Sequence, residues 1–267
     1  QVDFADVDVE WVDGHLSIIA KDVNGKQEET IVDIEDQSSI DDAAMKFQGK
    51  SAAEFGIHIW DSPDGASRVL SSIFGSVRPQ KLLDIRFTGA HDYSYFLAEF
   101  IYEYAPQDLS ETKVFLQWRC EVQQDDGIVR EVLQMLPKMK EFEIVYLIYE
   151  DDVYSGGSML DDTTVAHLIS NADRCTMGSA LNCTAQAILT AFEGFCESPV
   201  NNRFVMIHPS DEVLDELFRL AEEQGKFKVV TNHIGERFLY DEAGERRLVQ
   251  CLRDGRGTTP VVMQTRT

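Results

Sequence analysis

Six histidines are the residues of this chain best suited to metal ligation or proton transfer: His15, His58, His91, His167, His208 and His233. Zinc enzymes commonly take two ligands from one short pattern, such as His-Glu-x-x-His, because both imidazoles then lie on one face of a helix. Neither that pattern nor a His-x-His pair occurs in the chain. We therefore expect no metal site and no cofactor.

Nucleophilic and nucleotide-binding motifs are also missing from the sequence. It contains no Gly-x-Ser-x-Gly elbow, no phosphate loop and no Gly-x-Gly-x-x-Gly turn. The Gly156-Gly157-Ser158 segment lacks the lysine that a phosphate loop uses. A Cys–His pair assembled by the fold stays open, because its members need only meet in space. We predict no catalytic residue.

Three pairs of adjacent acids suggest calcium ligation or acid–base chemistry: Asp125-Asp126, Asp151-Asp152 and Asp161-Asp162. Calcium loops place oxygen ligands at alternating positions, which adjacent acids do not supply. Acids are favoured where helices begin, because they compensate the free amides there. We interpret these pairs as loop ends and helix starts.

The charge balance restricts the class of partner. The chain of 267 residues has 24 Lys and Arg against 47 Asp and Glu, a net charge of −23. Phosphate backbones and anionic membranes attract cationic proteins, so we expect neither direct nucleic-acid nor membrane binding. A basic protein is a natural partner for such a surface. Five scattered cysteines, an odd number, indicate a reducing compartment, the cytoplasm or the nucleus.

The elements that would position a site begin with a short β-rich segment. Residues 1–50 contain β-prone runs separated by the turn signals Asp13-Gly14 and Asn24-Gly25, followed by a helix over Ser38–Lys50. A meander of two or three strands is too small to be stable alone. We expect it to pack against the domain that follows.

Residues 51–252 alternate between strand and helix patterns with a near-constant period. Strands aligned on Ile57, Ile85, Leu116 and Ile144 are 28, 31 and 28 residues apart. This periodicity predicts an α/β fold, namely an irregular leucine-rich-repeat-like solenoid, although an ordinary α/β domain has units of similar length. The later units are less regular, with a missing or degenerate strand before a helix over Ala180–Phe195 and a C-terminal cap. Residues 253–267 are predicted to be a flexible tail.

Alternation within the repeated strands separates two faces of the sheet. One face is apolar and is expected to lie under the helices. The other mixes aromatic, arginine and aliphatic side chains, the last including Val145 and Leu147, a composition typical of protein-binding surfaces. The residues predicted to bind a partner are His58, Trp60, Asp84, Arg86, Phe115, Gln117, Arg119 and Tyr149. Two arrangements stay open: this face is exposed, or the meander or a second layer of helices covers it.

The layout resembles the C-terminal part of nematode F-box proteins that carry an FTH (DUF38) domain. The similarity comprises the β-rich stretch Val7–Ile34, the four strand–helix units, and the Met135-Leu136-Pro137-Lys138-Met139 segment, which is similar to that family's helix-ending Leu-Pro element. It implies a substrate- or partner-binding domain of a ubiquitin-ligase adaptor, without catalysis of its own. No F-box-like helical segment is present in these residues.

Three functions follow from the sequence. The first is a non-catalytic protein-interaction module that uses the exposed strand face. The second is an α/β hydrolase, for which Asp84, Glu150 and Asp151 would have to converge with a histidine in a cleft. The third is a structural subunit of a larger assembly, in which the strand face is an obligate interface.

Overall fold

The computed structural model shows an α/β protein that divides into two compact units. The first comprises Gln1–Lys140 and Tyr146–Ser155, and the second comprises Glu141–Val145 and Gly156–Thr267. The structure describes residues 2–12, 15–60, 66–104, 108–122, 124–150, 153–155, 160–180, 183–198, 203–250 and 260–265. None of the helices in those ranges is long and apolar enough to span a bilayer.

The first unit contains a sheet and four helices. Its strands are β1 (Phe4–Val12), β2 (His15–Asp22), β3 (Gln27–Val32), β4 (Ser51–Trp60), β5 (Arg78–Gly89) and β6 (Leu109–Cys120), in the spatial order β3-β2-β1-β4-β5-β6. Its helices are α1 (Gln37–Phe47), α2 (Ala66–Phe74), α3 (Ser94–Tyr104) and α4 (Asp126–Met135). Strand β7 (Met139–Glu150) contributes to both units, and β8 (Val153–Ser155) pairs with it.

The N-terminal meander extends the sheet edge to edge. Strand β1 pairs antiparallel with β2 and parallel with β4, with Val7 opposite Phe55 and Val9 opposite Ile57. Val7 and Val9 are fully buried on the same side as the apolar residues of the repeats. The meander therefore does not cover the polar face of the strands, so the alternative in which the meander covers that face is wrong.

The predicted alignment of the first three repeats is confirmed by the pairing register. Ile57 lies opposite Ile85, and Ile85 lies opposite Leu116. The alternation is also confirmed, since the predicted helix-side residues of β4, β5 and β6 are fully buried: Ile57, Ile59, Leu83, Ile85, Phe87, Val114, Leu116 and Trp118. Within each strand the polar positions between them point to the other face.

Aromatic contacts show that the helices pack on the apolar face. The ring of Phe55 lies 5.3 Å from that of Phe74 in α2 and 6.4 Å from that of Phe100 in α3. Phe87 contacts Phe96 of α3, with ring centroids 5.4 Å apart. Consecutive helices from α1 to α4 also contact one another, so they form one layer on this face.

The acidic pairs in the described chain begin helices, as predicted. Asp125 accepts hydrogen bonds from the amides of Gly127 and Ile128 at the start of α4. Asp161 accepts one from the amide of Thr164 at the start of α5 (Asp162–Asn171). Such caps use the carboxylate to satisfy amides that the first turn of the helix leaves free. The third pair, Asp151-Asp152, lies outside the described residues.

The second unit has the same two-layer arrangement with a different strand order. Its further elements are β9 (Ala172–Ala180), α6 (Ala185–Glu197), β10 (Phe204–His208), α7 (Asp211–Gln224), β11 (Lys228–Thr231), β12 (Arg237–Tyr240), β13 (Arg246–Gln250) and β14 (Val261–Thr265). Its strands lie in the order β9-β10-β14-β13-β12-β11. Helix α7 ends at Gly225, whose positive φ of 64° suits glycine.

Two expectations for the second unit differ from the structure. The strand predicted to be missing or degenerate is present as β9, where only Cys175 and Met177 supply sizeable apolar side chains to the buried face. The segment predicted to be a flexible tail contains strand β14 instead. This strand pairs with β10 and β13, and its residues Val261 and Met263 are fully buried. A short strand with few apolar residues gives a weak sequence signal even where tertiary pairing stabilises it.

Candidate functional site

The predicted partner-binding residues of β4, β5 and β6 lie in three adjacent rows across the strands. One row contains His58, Arg86 and Gln117, and the row before it contains Gly56, Asp84 and Phe115. In the third row, Thr88 lies between Trp60 and Arg119. The structure therefore brings together seven of the eight predicted residues, and the side chain of the eighth, Tyr149, lies outside those described.

At the centre of these rows, Asp84 holds Arg86 in a fixed position. Arg86 donates from Nε and Nη2 to the two oxygens of Asp84, at 2.9 and 2.6 Å. The guanidinium carbon also lies 5.1 Å from the ring centroid of Phe115. Bidentate pairing and stacking pre-organise the arginine, and the hydrogen bonds that Arg86 donates to Asp84 raise the pKa of Arg86, which stays charged.

Asp84 is placed differently from what its predicted role requires. Only 8 % of the residue is exposed. Its two oxygens already accept from Arg86, whose side chain is 43 % exposed. Asp84 is therefore a positioning residue for Arg86, which is the more exposed member of the pair.

The most exposed residue of the surface is Trp60, at the end of β4. It is 63 % exposed, an unusual state for the largest apolar side chain. Arg119 is exposed in the same row of the sheet, beyond Thr88. An aromatic ring next to an arginine is a typical pair of anchors in protein interfaces. We call the exposed surface formed by Trp60, His58, Arg86, Phe115, Gln117 and Arg119 the strand face.

Strand β1 adds acidic residues that the repeat pattern does not include. Asp8 lies opposite Gly56, and Glu10 lies opposite His58, with Glu10 Oε1 at 3.8 Å from His58 Nδ1. A Cβ at residue 56 would collide with the Asp8 carboxylate, so the glycine leaves room for that carboxylate to lie over the neighbouring strand. The alternation of Asp6, Asp8 and Glu10 with buried valines was a usable signal, but the parallel pairing of β1 with β4 was needed to place it.

Burial raises the pKa values of two aspartates of β1, Asp6 and Asp8. Desolvation and the nearby charge of Asp8 raise the pKa of Asp6, and a hydrogen bond between the two carboxyl groups adds to this. Desolvation also raises the pKa of Asp8, while the His58 charge lowers it. Strand β1, which lies between β2 and β4, therefore places partly desolvated acids on the polar face of the sheet.

The described residues offer no metal site and no reactive thiol. Within them, no group of three or more His, Cys, Asp or Glu side chains is arranged to hold an ion. Burial raises the pKa of Cys175, Cys183 and Cys196 to about 12, so these thiols are almost entirely protonated at neutral pH. Of the three carboxylates required by the hydrolase hypothesis, Asp84 is paired with Arg86, and Glu150 and Asp151 lie outside the described side chains.

Comparison with known proteins provides no relative. No protein-family model, no curated protein and no solved structure matches the chain. The chemistry and exposure of the strand face are therefore what bears on function.

Proposed function

We propose that this protein is a non-catalytic interaction module that recognises a protein partner through the strand face. The observation that carries the proposal is the pair of exposed anchors, Trp60 and Arg119, beside an arginine that is already held in place by Asp84 and Phe115. Pre-organised arginines and exposed tryptophans lose little conformational entropy on binding, which is why they dominate interface energies. No helix in the described part of the first unit packs on this face.

The finer form of the proposal is a leucine-rich-repeat-like solenoid with the layout of an F-box-associated FTH domain. The in-register repeats and the single helix layer of the first unit support it. Such a domain would be the substrate-binding part of a ubiquitin-ligase adaptor. We place it in the cytoplasm or nucleus, where adaptors of that kind act, and the net charge of −23 favours a basic partner.

Affinity capture from native lysate with paired variants tests the proposal. The test variant is Trp60→Ala/Arg119→Ala, which removes both anchors and leaves the Asp84–Arg86 pair intact. Interface anchors of this type contribute about 2 kcal/mol or more each, so we expect the captured partner to be lost. Quantitative mass spectrometry of the captured proteins is the measurement.

The matched control is Tyr95→Ala/Arg68→Ala, which removes one aromatic ring and one arginine from the helix layer. Tyr95 is 66 % exposed, close to the value for Trp60, so the two variants lose similar exposed surface. We expect the control to retain the partner at the wild-type level. Equal retention by both variants, with unchanged thermal stability, would reject the strand face as the recognition surface.

A further inference from the structure

The second unit has a sheet face of its own that carries positive charge. Arg174 lies opposite Phe204, which lies opposite Gln264 on β14. The same row continues through Arg247 and Tyr240 to Lys228 at the edge strand. None of these six positions carries a carboxylate, although Arg174 forms an ion pair with Glu141 of β7, whose Oε2 lies 4.0 Å from Arg174 Nε.

A second, apolar row runs beside the first. Met206 lies opposite Val262 of β14, and Phe238 lies opposite Val249 of β13 and Val230 of β11. These side chains are buried only in part, apart from Val249 at 9 % exposure. The alternate residues of the same strands, including Val205, Leu239 and Leu248, are fully buried on the other side. On that other side, the guanidinium carbon of Arg237 lies 4.4 Å from the ring centroid of Phe218 in α7. The helices therefore pack on the face opposite to the two rows.

The sign of this surface is opposite to that of the chain as a whole. With 47 acids against 24 Lys and Arg, an acidic patch is expected anywhere on the protein and carries little information. A row with three cations and no acid is a local inversion of the charge. At physiological salt, charges beyond about 8 Å are largely screened, so the contacts on this row decide what binds there.

The aromatic residues among these cations are of the kind that form interface anchors. The guanidinium carbon of Arg174 lies 5.1 Å from the ring centroid of Phe204. The rings of Phe238 and Tyr240 are stacked, with their centroids 6.0 Å apart. Arginine and aromatic residues are enriched at the energetic centres of interfaces, whereas isolated surface lysines are not.

We propose that this sheet face of the second unit binds an extended acidic segment of a protein partner, with acids facing the cationic row and apolar side chains facing the apolar row. Arg174 and Arg247 are three strands apart, about 14 Å at the usual strand spacing. An extended peptide spans about the same distance between residues i and i+4. The segment therefore carries acids four residues apart, with apolar residues at i+1 and i+3.

Fluorescence anisotropy with two labelled peptides tests this inference on the full chain. The first peptide has acids four residues apart and alternating apolar residues, and the second has the same composition with the acids adjacent. We expect the first to bind and Arg174→Gln/Arg247→Gln to weaken its affinity by about tenfold or more, because two charge-assisted contacts are lost. Arg174→Lys/Arg247→Lys keeps the charges and retains most of the affinity.

The control variant Arg68→Gln/Arg219→Gln removes the same charge from helices and is expected to change the affinity by less than about twofold. Any of three results would overturn the inference: equal losses of peptide affinity in both Gln variants, equal affinity for the two peptides, or tighter binding of oligothymidylate than of the first peptide. The site is separate from the strand face. If the inference holds, Trp60→Ala/Arg119→Ala leaves the peptide affinity unchanged. Failure of the inference is therefore distinguishable from failure of the proposed function.

Discussion

The sheets of the two units are alike on the helix side and different on the other side. In both units the helix side is lined mainly by buried apolar residues. On the other side, the first unit places Asp8, Glu10 and Asp84 around Arg86, whereas the second unit places Arg174 and Arg247 in a row with aromatic residues. Alternation along the strands therefore specifies which side the helices leave uncovered, and individual polar residues specify the charge that this side presents.

Replacing one phenylalanine on each side of each sheet gives the largest expected effect. Phe87→Ala in β5 of the first unit and Phe192→Ala in α6, on the helix side of the second unit, remove fully buried rings whose centroids lie 5.0 Å from another aromatic ring. We expect each to lower the free energy of unfolding by about 3–5 kcal/mol. Phe115→Ala and Phe204→Ala, on the opposite faces, are expected to cost about 1 kcal/mol, mainly from the lost arginine contact.

Chemical denaturation of the four variants is the measurement. Similar losses of unfolding free energy for Phe87→Ala and Phe115→Ala, or for Phe192→Ala and Phe204→Ala, would contradict the division of each sheet into a structural side and a side proposed for binding.

The raised pKa values of Asp6 and Asp8 give a smaller effect that distinguishes the first unit from the second. The pKa values of Asp6 and Asp8 are raised in the folded protein, so the folded state binds a proton more tightly than the unfolded state. This contribution favours folding at acidic pH and is lost as the pH rises through the folded-state pKa. Ionisation of the pair therefore destabilises the protein at neutral pH.

We expect Asp6→Asn/Asp8→Asn to raise the melting temperature at pH 7 by about 2 °C. The gain diminishes as the pH falls towards 3.8, the ordinary pKa of an aspartate, because the wild-type pair is then protonated. Asp42→Asn/Glu222→Gln, which removes two exposed acids from helices, serves as the control and should show no such pH dependence. A melting temperature that falls at pH 7 in the β1 variant would contradict the raised pKa values of Asp6 and Asp8.

The sequence was sufficient for the repeats and for one side of the candidate site. Ile57, Ile85 and Leu116 have long alternating strands around them, so periodicity alone predicts both their register and the residues opposite the helices. The predicted residues from His58 to Arg119 lie in adjacent rows for the same reason.

The remaining features depend on long-range pairing that local patterns do not encode. Strand β1 is joined to β2 by a hairpin, but its parallel pairing with β4 brings Asp8 beside Gly56 and so adds acids to the site. The burial of Asp84 follows from its contact with Arg86 and was not visible in its residue type. Strand β14 is stabilised by pairing with two strands. Strand β10 lies far away along the chain, and a long connection separates β13 from β14.

The most direct test of the central claim is site-specific photo-crosslinking in cells with benzoylphenylalanine in place of either Trp60 or Tyr95. Both positions are exposed aromatic residues of the first unit, at 63 % and 66 %, and they differ in lying on the strand side or the helix layer. We predict that a protein partner crosslinks at position 60 and not at position 95. Crosslinking of the partner at position 95 alone would contradict recognition through the strand face.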